Sequence, residues 1–240
     1  MPGTVDADDI AGKLAAMMHQ GAATDALLLI ALQDDPAVAA SAISLAVNTL
    51  YRSHRDVSNM VVAAHLGVAW CLGQASLQSD PEVASNLKRR AHAMSFNAAA
   101  NCWPGWDDEG VTIEDAEVKA ARSLAGTCLA LAHELDLGPK GLGTAHWVIG
   151  ALELALGRFS AARAAFQDAQ RSYAALGEGA PQKLMAQGYD ALAAKLGNVS
   201  SDECSAALKE ALERLHALGT KDGQFFADQI ARAERVLSSG

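Results

Sequence analysis

Apolar residues recur along this chain at intervals of three and four. Leu208, Leu212 and Leu215, or Phe226, Ile230 and Ala233, show the spacing that gathers side chains on one face of a helix. Alternation at a spacing of two, the mark of a half-buried strand, is missing throughout. Breakers and caps cut the pattern into about 11 predicted helices: 6–20, 23–34, 36–54, 57–77, 81–101, 113–136, 142–157, 159–176, 181–196, 201–218 and 222–238. Pro36 and Pro81 suit first-turn positions, where a missing N–H costs nothing. Gly157, Gly177, Gly197 and Gly219 are read as left-handed helix ends, and Ser200 with Glu203 as a capping box. The joints are short, so consecutive helices should run antiparallel, and the expected fold class is all-α.

Helix pairs of roughly 40 residues recur, each closing on a small residue, and such units stack because none buries its apolar stripe alone. The clearest unit is Ala145 to Gly177. Trp147 opens its first helix, Gly150 and Ala151 form a small pair in the middle, and Gly157 stands at the turn. Phe159 follows, and Ala162, Phe166 and Ala169 are spaced by four and three. This unit resembles a tetratricopeptide repeat. Cys204, Leu208 and Ala211, and again Ala64, Val68 and Cys71, repeat the second-helix spacing without the aromatics. The resemblance implies a superhelix of antiparallel helix pairs with irregular repeats, a single domain over residues 1–240. Residues 145–177 are its best repeat and 222–238 its capping helix. It also implies a concave groove, lined by the first helix of each pair, that takes a peptide or protein. The helix from Thr144 to Leu156 has only His146 and Glu153 as polar interior residues, so it should be covered on both faces by chain, ligand or a second subunit.

Composition adds bounds. The chain has 240 residues, half of them hydrophobic, which is enough for a substantial core and excludes disorder. Its 19 basic against 28 acidic side chains give a net charge of −9, which argues against nucleic acid or an anionic membrane as partner. No run of about 18 apolar residues is expected to span a bilayer. Asp6, Asp8 and Asp9 stand where a secretory signal needs positive charge, so the expected location is cytoplasmic. Cys71, Cys102, Cys128 and Cys204 are far apart, and Cys71, Cys128 and Cys204 sit among Ala, Leu and Val as buried free thiols would.

Catalytic chemistry is not legible. No second His follows His133-Glu134 at zinc-protease spacing, and His54, His65, His92 and His216 are isolated on helices. Gly138 to Gly143, GPKGLG, lacks the Lys-Ser/Thr of a phosphate loop and is read as a helix stop. The longest break between helices, NAAANCWPGWDDEG from Asn97 to Gly110, holds two tryptophans beside an acidic run. Loops of that length are often functional, and tryptophan anchors binding well. Asn97, Asn101, Trp103, Trp106, Asp107 and Trp147 are therefore the candidate binding residues. The competing account makes both rings a plug between helix pairs. The expected function is a non-catalytic interaction module that binds a protein or peptide, or associates with itself as a homodimer. No cofactor or metal is implied. The alternative is a small-molecule sensor or helical enzyme with an enclosed apolar pocket near residues 97–110.

Overall fold

In the computed structural model, which describes residues 6–177, 179–197 and 201–238, every regular element is helical. Eleven α-helices follow in chain order: α1 Ala7–His19, α2 Ala23–Ala31, α3 Pro36–Arg52, α4 Val57–Leu77, α5 Pro81–Asn101, α6 Asp115–Glu134, α7 Gly138–Ala155, α8 Phe159–Tyr173, α9 Pro181–Leu196, α10 Ser201–Ala217 and α11 Lys221–Ser238. Short 3-10 turns lie at Pro104–Trp106 and Ala174–Leu176. The all-α expectation holds, and Pro36, Pro81 and Pro181 each open a helix at the first turn.

The helix ends have local causes. Asp6, Asp35 and Asp56 cap α1, α3 and α4 by accepting from backbone N–H groups of the first turn. Glu114 and Glu117 form a reciprocal capping box at α6, whereas the Ser200 box falls outside the described residues. At the end of α7, Gly157 takes φ 67° while the Arg158 N–H reaches back to the Glu153 carbonyl at 2.9 Å, a six-to-one closure. Gly197 differs from expectation, since its φ of −78° is right-handed. Its smallness serves packing instead, as a Cβ there would stand 3.0 Å from Phe159 Cβ. GPKGLG also differs: α7 starts at Gly138, and these residues form its first turns. The preceding stop is supplied by Asp136, left-handed at φ 47°, with Leu137 N–H bonded to the Ala132 carbonyl at 3.0 Å.

The chain divides into two compact units, one of Met1–Asn101 with Gly110–Thr112, the other of Cys102–Glu109 with Ile113–Gly240. In the first, α4 packs between α3 and α5, and α1 packs on α3 and carries α2. Gly67 permits the close approach in α4, since a Cβ there would lie 2.5 Å from Ile43 Cγ2 and from Met94 Sδ. α4 carries no Asp, Glu, Lys or Arg. Contrary to the sequence expectation, it is long and apolar enough to cross a membrane by length and composition, although one side of it is buried in this unit.

In the second unit each helix from α6 to α10 packs on the next, and α11 packs on α9, α10 and the Pro104–Trp106 turn. α7 is covered as expected: Val148, Ala151 and Leu152 are all fully buried. Glu153, also buried, is held by Arg122 Nε at 2.7 Å and Arg158 Nη1 at 3.3 Å, which compensates its charge. At the α7–α8 contact the Phe166 ring lies over Gly150, and Ala162 and Ala169 on the same helix as Phe166 are fully buried.

Candidate functional site

The break after α5, from residue 102 to 114, is organised around a 3-10 turn by its own residues. Pro104 fixes the first 3-10 residue, Trp106 and Asp107 donate backbone N–H groups to the Trp103 and Pro104 carbonyls at 3.3 and 3.1 Å, and Asp107 turns left-handed at φ 55°. Aspartate tolerates that region better than most residues. Gly105 is needed because the Trp103 indole lies against it, leaving a Cβ only 2.5 Å from Cζ2. Trp103 is thereby fully buried.

Five rings then run in contact through the second unit. Trp106 tilts against Trp147 at 6.1 Å between centroids, Trp147 meets Tyr189 edge-on at 5.9 Å, Tyr189 meets Trp103 edge-on at 6.1 Å and stacks on Phe166 at 5.3 Å. α11 clamps the segment from outside, through Arg232 Nη1 to the Trp106 carbonyl at 3.0 Å and Arg235 Nη2 to Asp107 Oδ2 at 3.1 Å. Burial pushes the Tyr189 hydroxyl far above the usual tyrosine range, with the nearby Trp103 indole N–H and Arg232 acting in the opposite sense. Trp103 Nε1, Trp147 Nε1, the Tyr189 hydroxyl and Gln229 Oε1 are buried, and none has a partner of full hydrogen-bond geometry among the described residues.

Four of the six candidate residues, Trp103, Trp106, Asp107 and Trp147, are thus gathered in the second unit. Asn97 and Asn101 are not; they lie on the last turns of α5, in the first unit, with Asn101 Nδ2 directed to Met60 Sδ at 3.7 Å. Trp103 and Trp147 are buried in ring-to-ring packing, Trp106 is half-buried against Trp147, and Asp107 is exposed and paired with Arg235.

The most accessible apolar surface is elsewhere, in the first unit. Leu14 and Met18 of α1 with Ile43 and Ala46 of α3 floor a groove of about 50 Å³ walled by α2 on one side and by Leu66 and Trp70 of α4 on the other. Of its lining, Leu27 of α2 and Leu66 of α4 are exposed; Val62 is exposed one turn before Leu66, and Leu28 and Leu32, exposed at 57% and 77%, lie on the other side of the α2 segment from Ala26 and Ile30. The groove is lined almost wholly by carbon and admits a side-chain knob. Sequence reasoning passed over it. The available signals were the Leu27-Leu28-Leu29 run, more leucine than a 9-residue helix can bury, and the charge-free stretch 57–77.

No protein-family model and no curated protein matches this chain. A polar cleft of about 370 Å³ in the second unit is bordered by Arg163, Gln187, Asp190, Cys204, Glu210 and Arg214. Arg163 is bound to Asp190 at 2.8 Å, and that hydrogen bond raises the guanidinium pKa. Cys204 is half-exposed, unlike the expectation that buried it; Cys71, Cys102 and Cys128 are buried, and burial pushes the Cys71 and Cys128 thiols up to about 11 and about 12. His54 is not isolated, because its ring packs on His19 at 4.5 Å while His19 Nδ1 meets Asp56 Oδ2 at 2.7 Å. Among the described residues no group of three or more His, Cys, Asp or Glu has the arrangement of a metal site.

Proposed function

We propose that this protein is a non-catalytic interaction module, built as a tetratricopeptide-like arrangement of antiparallel helix pairs, that takes an apolar polypeptide surface on the α2–α4 face of its first unit. The helix-pair proposal draws support from the sequential packing of α6 through α10 and from the Gly150–Phe166 contact, which is where the best repeat puts small against aromatic. The observation that carries the docking proposal is the groove with exposed Leu27 and Leu66 in its lining, in a unit that also exposes Leu28, Leu32 and Val62. Leaving such side chains in water forfeits roughly 1.5 to 3 kcal/mol apiece when they are fully exposed, and contiguous patches of them mark interaction sites. The Trp103–Trp106 segment serves in this account as the structural plug of the second unit.

A photo-crosslinking amino acid placed at Leu27 in the living cell tests this. The expected result is a covalent adduct with a polypeptide, whether another protein or the same chain, that is missing when the probe stands at exposed Lys209 on α10. Equal labelling at both positions, or none at Leu27, would overturn the docking proposal.

A further inference from the structure

We infer that the occupant of this face is a second copy of the same chain, with the two α4 helices laid antiparallel. The inference rests on the interaction proposal above and names its partner. Exposed residues of α4 form a series: Val62, Leu66, Ala69, Gly73 and Ser76 are spaced by four, three, four and three, with Ser58 one turn before it and Leu77 exposed to one side of its end. That is the seam of one helix packed along another at about 20°. The seam is also graded in size. Val62 and Leu66 are bulky, whereas Gly73 and Ser76 are small, and a Cβ at Gly73 would meet nothing within 4 Å. A second α4 running the opposite way about an axis at Ala69 sets Val62 against Ser76 of the other copy and Leu66 beside Gly73 of the other copy. Bulk meets gap at both ends, as a two-fold interface requires. A parallel arrangement would set bulk on bulk and gap on gap.

Charge points to the same occupant. Each copy carries a net charge of −9 and repels its like over most of the surface, so a self-interface belongs where charge is absent. α4 has none, and Asp25 is the only charged residue of α2. Area is sufficient. α4 has 21 residues and α2 has 9, which at 1.5 Å per residue and helix spacings near 9 Å gives roughly 500 Å² per copy once the groove between them is included. Two copies cover about 1,000 Å², the size at which a specific interface becomes stable.

The test uses the purified full chain in sedimentation velocity at micromolar concentration, with far-UV circular dichroism confirming that each variant is folded. The wild-type protein should sediment as two chains of 24.9 kDa. Val62→Lys and Ser76→Glu, both at exposed positions, should each weaken the dimer by about a hundredfold, because each leaves a charge desolvated without a partner. The double variant should recover the dimer, since antiparallel pairing sets residue 62 of one copy against residue 76 of the other. A double variant that stays monomeric refutes the antiparallel register, and single variants that remain dimeric place the interface elsewhere. A wild-type monomer that floats with phosphatidylcholine vesicles assigns the face to a lipid surface and overturns the inference. A wild-type monomer that still crosslinks another protein from Leu27 removes the self-partner and leaves the interaction proposal standing; loss of both removes both.

Discussion

Gly150 offers the sharpest quantitative test of the α7–α8 contact. An added Cβ would stand 2.6, 2.7 and 2.9 Å from Cε1, Cδ1 and Cζ of Phe166, whereas carbon atoms at rest are about 3.5 to 4.0 Å apart. The ring cannot give way easily, because it is fully buried and stacked on Tyr189 at 5.3 Å. Two terms therefore compete in Gly150→Ala. Replacing a mid-helix glycine gains about 0.8 to 1 kcal/mol in helix propensity, and overpacking costs about 1 to 3 kcal/mol. Gly126 on α6, in the same unit, isolates the first term, since a Cβ there meets only Arg122 Nη1 at an ordinary 3.7 Å. Urea denaturation of both variants should separate them by the overpacking cost alone: Gly126→Ala more stable than wild type, Gly150→Ala below it by up to about 2 kcal/mol. Phe166→Leu should partly rescue Gly150→Ala, with a coupling energy above about 0.5 kcal/mol. Gly150→Ala stabilising as much as Gly126→Ala would show that the two helices do not meet in this register.

Tyr189→Phe removes a buried hydroxyl without a well-formed partner and should leave the denaturation midpoint unchanged or raised, whereas Trp103→Ala empties the centre of the ring cluster and should cost about 3 to 5 kcal/mol; a midpoint lowered strongly by Tyr189→Phe would reveal a hydrogen bond. Burial alone would raise the Asp56 pKa, but the Asn59 side chain, His19 and the Asn59 N–H outweigh it and hold the carboxyl below its usual value. A folded pKa below the unfolded one makes its stabilisation complete above the unfolded value near 3.8 and lost as pH falls through the folded one. The midpoint of wild type should therefore drop more steeply with acid than that of Asp56→Asn, and parallel curves would refute the assignment. A thiol reagent should modify Cys204 alone in the folded protein and all four cysteines in denaturant; rapid native labelling at Cys71, Cys102 or Cys128 would contradict their burial.

The helices were legible because this sequence writes its boundaries locally: Pro36, Pro81 and Gly157 act through their own φ preferences, whatever surrounds them. Two misreadings had the same origin. GPKGLG looked like a stop because glycine and proline are poor helix formers, yet Pro139 is harmless in a first turn and Gly143 is needed there, since a Cβ would run into the Tyr173 ring. Gly197 looked like a left-handed end and is a packing glycine. The Trp103 and Trp106 pair illustrates why sites are harder than folds. A tryptophan in a loop reads the same whether it faces a ligand or another ring; Trp103 is buried against Tyr189, while Trp106 meets Trp147 and stays half-buried. The α2–α4 groove escaped for the opposite reason, since leucines at helical spacing read as core until the chain proves too short to cover them.

The Arg232 and Arg235 contacts carry a consequence for how the second unit folds. From α6 to α10 each helix leans on its neighbour in sequence, and a stack of that kind forms by short-range steps and can melt piecemeal from either end. The two arginines join residues 126 and 128 positions apart, which ties the last helix to the first turn of the unit and makes fraying at one end costly to the other. That closure has to wait. During synthesis the Pro104–Trp106 turn leaves the ribosome long before α11 exists, so the five rings, the last of them Tyr189, are all made before the arginine clamp on the turn can form.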